Sequence, residues 1–119
     1  MVKPKPNQEK IIVRWAEIDL LIDVLTNQII GVDSVYGIPR GGLVPAVMLS
    51  HRLGLPLVQK IGKNTLIVDD ISDSGKTLNK LNKPNKVAVL MQRKNTEFKC
   101  DFVGKHIDHE DWLVFPWET

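Results

Sequence analysis

Cys100 is the only cysteine in 119 residues, which excludes an intrachain disulfide and makes a reducing cytoplasm the simplest setting. No apolar run approaches the length needed to cross a bilayer, so no membrane partner is expected. Nor does the chain offer charge of one sign. Sixteen Lys and Arg stand against fourteen Asp and Glu, a net charge of +2, too little for nucleic-acid binding, although lysines beside a site add local attraction for a polyanion. Internal repeats are absent as well. What is present is an apolar content of 43%, enough for one compact domain spanning 1–119. Met1 to Asn7 is polar and proline-rich, lacks the apolar centre of a signal peptide, and reads with residue 8 as a mobile arm.

The most informative stretch runs Thr65-Leu66-Ile67-Val68-Asp69-Asp70-Ile71-Ser72-Asp73-Ser74-Gly75-Lys76-Thr77. An apolar run suits a strand buried on both faces, and ligands of open α/β sheets gather beyond the carboxyl ends of such strands. Asp69 and Asp70 then stand at the mouth of a crevice. Ser74, Gly75, Lys76 and Thr77 follow with hydroxyls, a cation and backbone N–H groups, a combination that cradles phosphate. Carboxylates suited to sugar hydroxyls, followed by a phosphate cradle, point to a ribose phosphate. A P-loop is excluded, because its pattern needs glycine where Asp70 stands. A receiver domain pairs its acids after the first strand, whereas this pair lies past mid-chain. An ordinary capped helix, with Ser72 or Asp73 as N-cap, accounts for the hydroxyls but not for Asp69, Asp70 and Asp73 together.

This stretch resembles the phosphoribosyl-pyrophosphate motif of type I phosphoribosyltransferases. The resemblance implies that Asp69 and Asp70 hold the ribose hydroxyls, directly or through Mg²⁺ brought in with the substrate, and that Asp73 through Thr77 wrap the 5′-phosphate. It also gives Asp73 the position of a general base near the purine N7.

A second segment, Val35 to Val47, again runs strand, tight loop, helix, with Pro39-Arg40-Gly41-Gly42 at the turn. Paired glycines free the backbone to approach a ligand, and Arg40 can fork across phosphate oxygens. The segment looks like the pyrophosphate loop of the same family, where a cis peptide is common; the candidate bond here is Pro39–Arg40. Near the C-terminus, Ile107 to Glu118 resembles the tail of xanthine-guanine phosphoribosyltransferases, implying that 104–119 forms a purine-binding tail. Trp112 would stack on the base, and the Leu113 carbonyl would accept from an exocyclic amine. Trp117 is expected to close the core instead. In purine-handling relatives a lysine after the next strand donates to the 6-oxo group; Arg93 is the first choice for that donor, with Gln92 and Lys94 as alternatives.

Taken together, these features predict an α/β fold: a doubly wound, mostly parallel sheet flanked by helices, with a minimal hood. Expected strands are Ile11–Arg14, Ser34–Ile38, Leu57–Gln59, Thr65–Asp69, Val87–Met91 and Asp101–Val103. Expected helices are one carrying Leu20, Leu21, Val24 and Leu25 on its apolar face, one from Gly42 to Leu53 ended by Gly54, and a short one after Gly75. His106, Asp108, His109 and Glu110 lack metal-ligand spacing and read as a polar loop. His51 reads as a late-helix residue.

The implied reaction is phosphoribosyl transfer from phosphoribosyl pyrophosphate to guanine, xanthine or hypoxanthine, by a homo-oligomer as in most relatives. The chain departs from the family between Leu57 and Asp69, where relatives place a long loop that closes over the substrate. Only a tight turn at Gly62 to Asn64 is expected here. That shortening sustains a second reading, a non-catalytic phosphoribosyl-pyrophosphate or nucleotide-binding regulatory module.

Overall fold

The computed structural model describes residues 8–118. Of the arm expected over 1–8, residues 1–7 lie outside the described residues, and Gln8 donates to the Glu110 carbonyl at 2.6 Å.

Four short apolar segments form one parallel sheet in the order β2-β3-β4-β5: β2 Ser34–Gly37, β3 Thr65–Ser72, β4 Val87–Arg93 and β5 Phe102–Ile107. The register sets Tyr36 against Ile67, Val68 against Ala88, and Val89 against Val103. The strand expected at Leu57–Gln59 shrinks to one parallel bridge, Leu57 to Val35. That remnant still matters. It lies on the far side of β2 from β3, so the chain runs outward from β2 to Leu57 and then crosses back to β3. This reversal makes the space above β2 and β3 the switch point of a doubly wound sheet, where ligands bind.

Strand alternation sends Leu66 and Val68 to one face and Ile67 to the other. The first face packs against Ala46 and Leu49 of α2 (Leu43–Leu53) and against α1 (Trp15–Gln28); the second packs against Leu78 of α3 (Lys76–Leu81). In α1 the buried stripe is Ile18, Leu21, Ile22 and Leu25. Leu20 and Val24, expected on that stripe, are 65% and 42% exposed. Each sits one residue, roughly 100° of helix, off the i, i+3, i+4, i+7 row that Ile18 begins.

The hood is a second, two-stranded sheet. β1 (Lys10–Ile12) pairs in parallel with β6 (Trp112–Val114), setting Ile11 against Leu113, and a 3-10 turn, Pro116–Glu118, follows. β6 was not foreseen from sequence, because a three-residue strand whose partner lies some hundred residues away carries no local pattern. β3 and β5 are longer than expected. Pairing of Ser72 with Gln92 and of Ile107 with Arg93 carries both ladders to the last residues of β4.

The link 54–64 stays at the opposite pole from the carboxylates. Gly62 N–H donates to Thr65 Oγ1 at 2.9 Å, and the Asn85 amide donates to Gly62 O at 2.8 Å and Thr65 O at 2.9 Å. All these groups lie at the amino ends of β3 and β4, as the expected tight turn requires. Asn85→Ala removes both side-chain bonds and should cost about 1–2 kcal/mol of stability in urea unfolding, with ligand affinity unchanged because the pin is remote from the crevice.

Candidate active site

β2 and β3 run side by side, and β3 continues past the end of β2, whose last residue Gly37 pairs with Val68, so the turn after β2 meets the final residues of β3. After β2 comes the tight turn through Arg40, whose Pro39–Arg40 bond is cis as expected. Asp69 and Asp70 lie in that overhanging part of β3, and the 73–77 loop follows it. The contact between them is close: a side chain on Gly41 would collide with the Asp70 carboxylate, so only glycine allows this approach. Gly42 differs from expectation. Its N–H already donates to Ile38 O at 2.8 Å, and the residue is buried against Val68. It builds the turn, and the hollow above is lined by Arg40 and Gly41.

Three hollows share Asp70 as a wall. A cleft of about 700 Å³ is lined by Arg40, Gly41, Leu43, Val44, Trp117 and Glu118 along with Asp70. A cradle of about 320 Å³ runs along Asp69, Asp70 and the loop from Asp73 through Thr77, so Ser74, Gly75, Lys76 and Thr77 all face it. A third, of about 130 Å³, joins Asp70 and Asp73 to Arg93, Trp112, Leu113 and Glu118. The residues singled out from sequence are thus brought together, except for Gly42.

The cradle is braced from behind. Gly75 has φ +86°, and a side chain there would come within 2.5 Å of the Phe98 N. Glu97 N–H donates to Ser74 O at 2.8 Å, and the buried Ser72 hydroxyl lies 2.8 Å from Thr96 Oγ1. The 94–100 loop therefore sets the shape of the 73–77 loop, a role invisible in the motif itself.

Of the three residues weighed as base donor, only Arg93 reaches the third hollow. Gln92 accepts from Cys100 N–H at 2.7 Å and, with Lys94, lines a separate hollow. Arg93 is no free donor, however: Nε bonds Asp73 Oδ1, Nη1 bonds His109 O and Nη2 bonds Asp111 O, at 2.8, 2.7 and 2.8 Å. Two of its five N–H groups remain. In β6, Trp112 N–H and Val114 O bond toward β1, and strand alternation turns the Leu113 N–H and carbonyl to the other edge. Trp112 makes no ring contact with another aromatic among the described residues. Trp117, expected to serve only the core, does stack on Phe115 at 5.2 Å, yet it also walls the large cleft. Its indole N–H is buried and faces the Asp70 carboxylate, whose charged form it favours, without reaching strict hydrogen-bond geometry. Glu118, which accepts from Phe115 N–H at 2.8 Å, is a further wall that sequence reasoning missed.

The chain has crystallographic counterparts with this layout. No family model matches it. The curated xanthine-guanine phosphoribosyltransferase of Vibrio parahaemolyticus is 29% identical, with 71% of each chain covered. The purine phosphoribosyltransferase of Pyrococcus horikoshii is 32% identical and superposes with a TM-score of 0.80 over 92% of this chain and 95% of its own. The chain belongs to the type I phosphoribosyltransferases. A Neisseria gonorrhoeae protein solved with bound ppGpp shares the fold, with a TM-score of 0.74 at 22% identity over 94% of this chain and 90% of its own.

The two acids of this family member are electrostatically unusual. Burial, and then the neighbouring charge of Asp70, push the Asp69 carboxyl from 3.8 up to about 8, and burial raises Asp70 as well. Among the described residues no Lys, Arg or His forms an ion pair with either. The pair therefore holds a proton at neutral pH and lacks a cation. Burial also pushes the Cys100 thiol up to about 12, which leaves it unreactive.

The linkage has a definite sign. Between about pH 4 and pH 8 the native state keeps a proton on Asp69 that the unfolded chain releases, so this contribution to stability is intact below pH 4 and lost as pH rises through 8. Asp69→Asn removes the penalty. The melting temperature of the variant minus that of the wild type should climb between pH 4 and pH 8 and level off above it, as thermal scans across that range will show.

Proposed function

We propose that this chain transfers the phosphoribosyl group of phosphoribosyl pyrophosphate to a 6-oxopurine, giving the nucleoside monophosphate and pyrophosphate. The observation that carries this reading is Asp70 as the common wall of three hollows. One has an arginine and a close-approach glycine for a pyrophosphate, one a hydroxyl-rich loop for a 5′-phosphate, and one a tryptophan and an open strand edge for a flat heterocycle. A single substrate carbon between them can face both the leaving and the attacking group.

The residues then divide the work. Ser74 to Thr77 anchor the 5′-phosphate, supplying binding energy remote from the reacting carbon. Asp69 and Asp70 orient the ribose hydroxyls, and Arg40 with the Gly41 backbone neutralises charge that develops on the departing pyrophosphate. The bond from C1 to the pyrophosphate oxygen breaks as the bond from a purine nitrogen to C1 forms, and Asp73 accepts the purine's proton. Mg²⁺ enters as part of the substrate. The acid pair fits it, being two adjacent carboxylates short of positive charge, and the ion would supply further neutralisation of the pyrophosphate.

The uncovered site favours one other reading. With 54–64 pinned at the far pole, no segment of that link covers the crevice, and the fold-mate from Neisseria gonorrhoeae carries ppGpp. A nucleotide-binding regulator is the alternative that these two observations support.

Pyrophosphate release from phosphoribosyl pyrophosphate and Mg²⁺ separates them. Release that requires guanine, xanthine or hypoxanthine, and that falls about a hundredfold or more in Asp73→Asn, is the expected result. If no base elicits release while calorimetry shows the sugar phosphate binding, the chain is a regulator and the enzyme assignment is overturned.

A further inference from the structure

Arg93 bonds the 73–77 loop to the turn before β6. Its side chain is 7% exposed, yet its carboxylate partner, Asp73, is 66% exposed. Asp73 has no second side-chain partner among the described residues, so the guanidinium alone fixes its orientation. The other two arginine bonds go to the backbone of the turn that leads into β6, at His109 and Asp111. That turn is closed by Asp111 N–H donating to His109 Nδ1 at 3.2 Å, and its next residue, Trp112, is held by Glu9 O at 2.8 Å. A continuous chain of polar contacts thus runs from the phosphate loop through one buried cation to the tail.

We propose that Arg93 is a positioning residue that couples the two halves of the site, so that filling the 73–77 cradle orders the 109–114 tail for the purine. This rests on the reading of that loop as a phosphate cradle. A ligand in the cradle restrains Asp73, a restrained Asp73 restrains Arg93, and Arg93 holds the turn immediately before Trp112. The planar fork of arginine reaches three acceptors in fixed directions; a lysine ammonium at this position keeps the charge but not the fork. Coupling of this kind is reciprocal, so tail order must also favour phosphate binding.

Amide hydrogen exchange with ribose 5-phosphate as probe tests the tie without requiring turnover. In the wild type, saturating ribose 5-phosphate should slow exchange across 109–114 about tenfold. In Arg93→Lys and Arg93→Gln the probe should still protect 73–77 but leave 109–114 unchanged. In Asp73→Asn the tail should exchange about tenfold faster even without ligand. Equal protection of the tail in wild type and both Arg93 variants overturns the proposal, as does a wild-type tail that ignores the bound probe. Should ribose 5-phosphate fail to bind the wild type at all, the cradle reading falls. Asp73→Asn then judges the tie alone, and an unchanged tail refutes it. In the assay of pyrophosphate release, coupling further predicts that the kcat losses of Arg93→Gln and Asp73→Asn do not multiply in the double variant.

Discussion

The contact between the Asp70 carboxylate and the Gly41 backbone is the constraint on which the rest of the site depends. It exists because β3 continues beyond the end of its parallel neighbour β2, so the turn after β2 folds against Asp70, with a crossover reversal between the two strands. Burying an acid there is unfavourable in itself. The raised pKa values of Asp69 and Asp70 express that cost. It is borne by the strand that carries them, whose Leu66, Ile67 and Val68 are fully or almost fully buried between two helical layers. A polar pair with raised pKa values on a strand buried between two helical layers is a local conflict of the kind that marks function.

The second half of the site has a different physical basis. Its walls, Trp112, Leu113, Trp117 and Glu118, belong to a segment with little regular structure of its own. Three residues of β6 pair with three of β1, Leu113 and Phe115 reach the core shared with α1, and Phe115 and Trp117 stack. Arg93 supplies what these contacts lack, a directional link from the tail to β4 and the 73–77 loop. A buried guanidinium whose partners include two main-chain carbonyls is useful for geometry more than for net stability. The 73–77 loop is likewise held by a neighbour, the 94–100 segment behind Gly75.

Much of this was legible in the residues because the chemistry is local. The 65–77 and 35–47 stretches each carry strand, turn and ligand groups within about a dozen consecutive positions, so a pattern in sequence is already a pattern in space. Helix α2 with Gly54 at its end followed from the same short-range rules, and so did the tight turn at Gly62. The failures share one cause. Leu20 and Val24 were placed inward because an apolar residue does not announce which of two neighbouring stripes meets the sheet. β6 escaped because its partner strand lies at the other end of the chain. Arg93 was read as a free donor, and its partners lie twenty residues before it and sixteen and eighteen after it.

By itself, then, the sequence determined the fold class, the position of the acid pair, the loop after it and the arginine-glycine turn, since each depends on backbone preferences and side-chain chemistry within one short segment. Tertiary structure alone decided three further things: that Gly42 spends its amide inside the turn, that Trp117 and Glu118 become walls of the cleft, and that Arg93 is tied to Asp73 and the tail. Those outcomes depend on which distant groups arrive as hydrogen-bond partners. A buried donor takes whatever acceptor the packed fold presents to it.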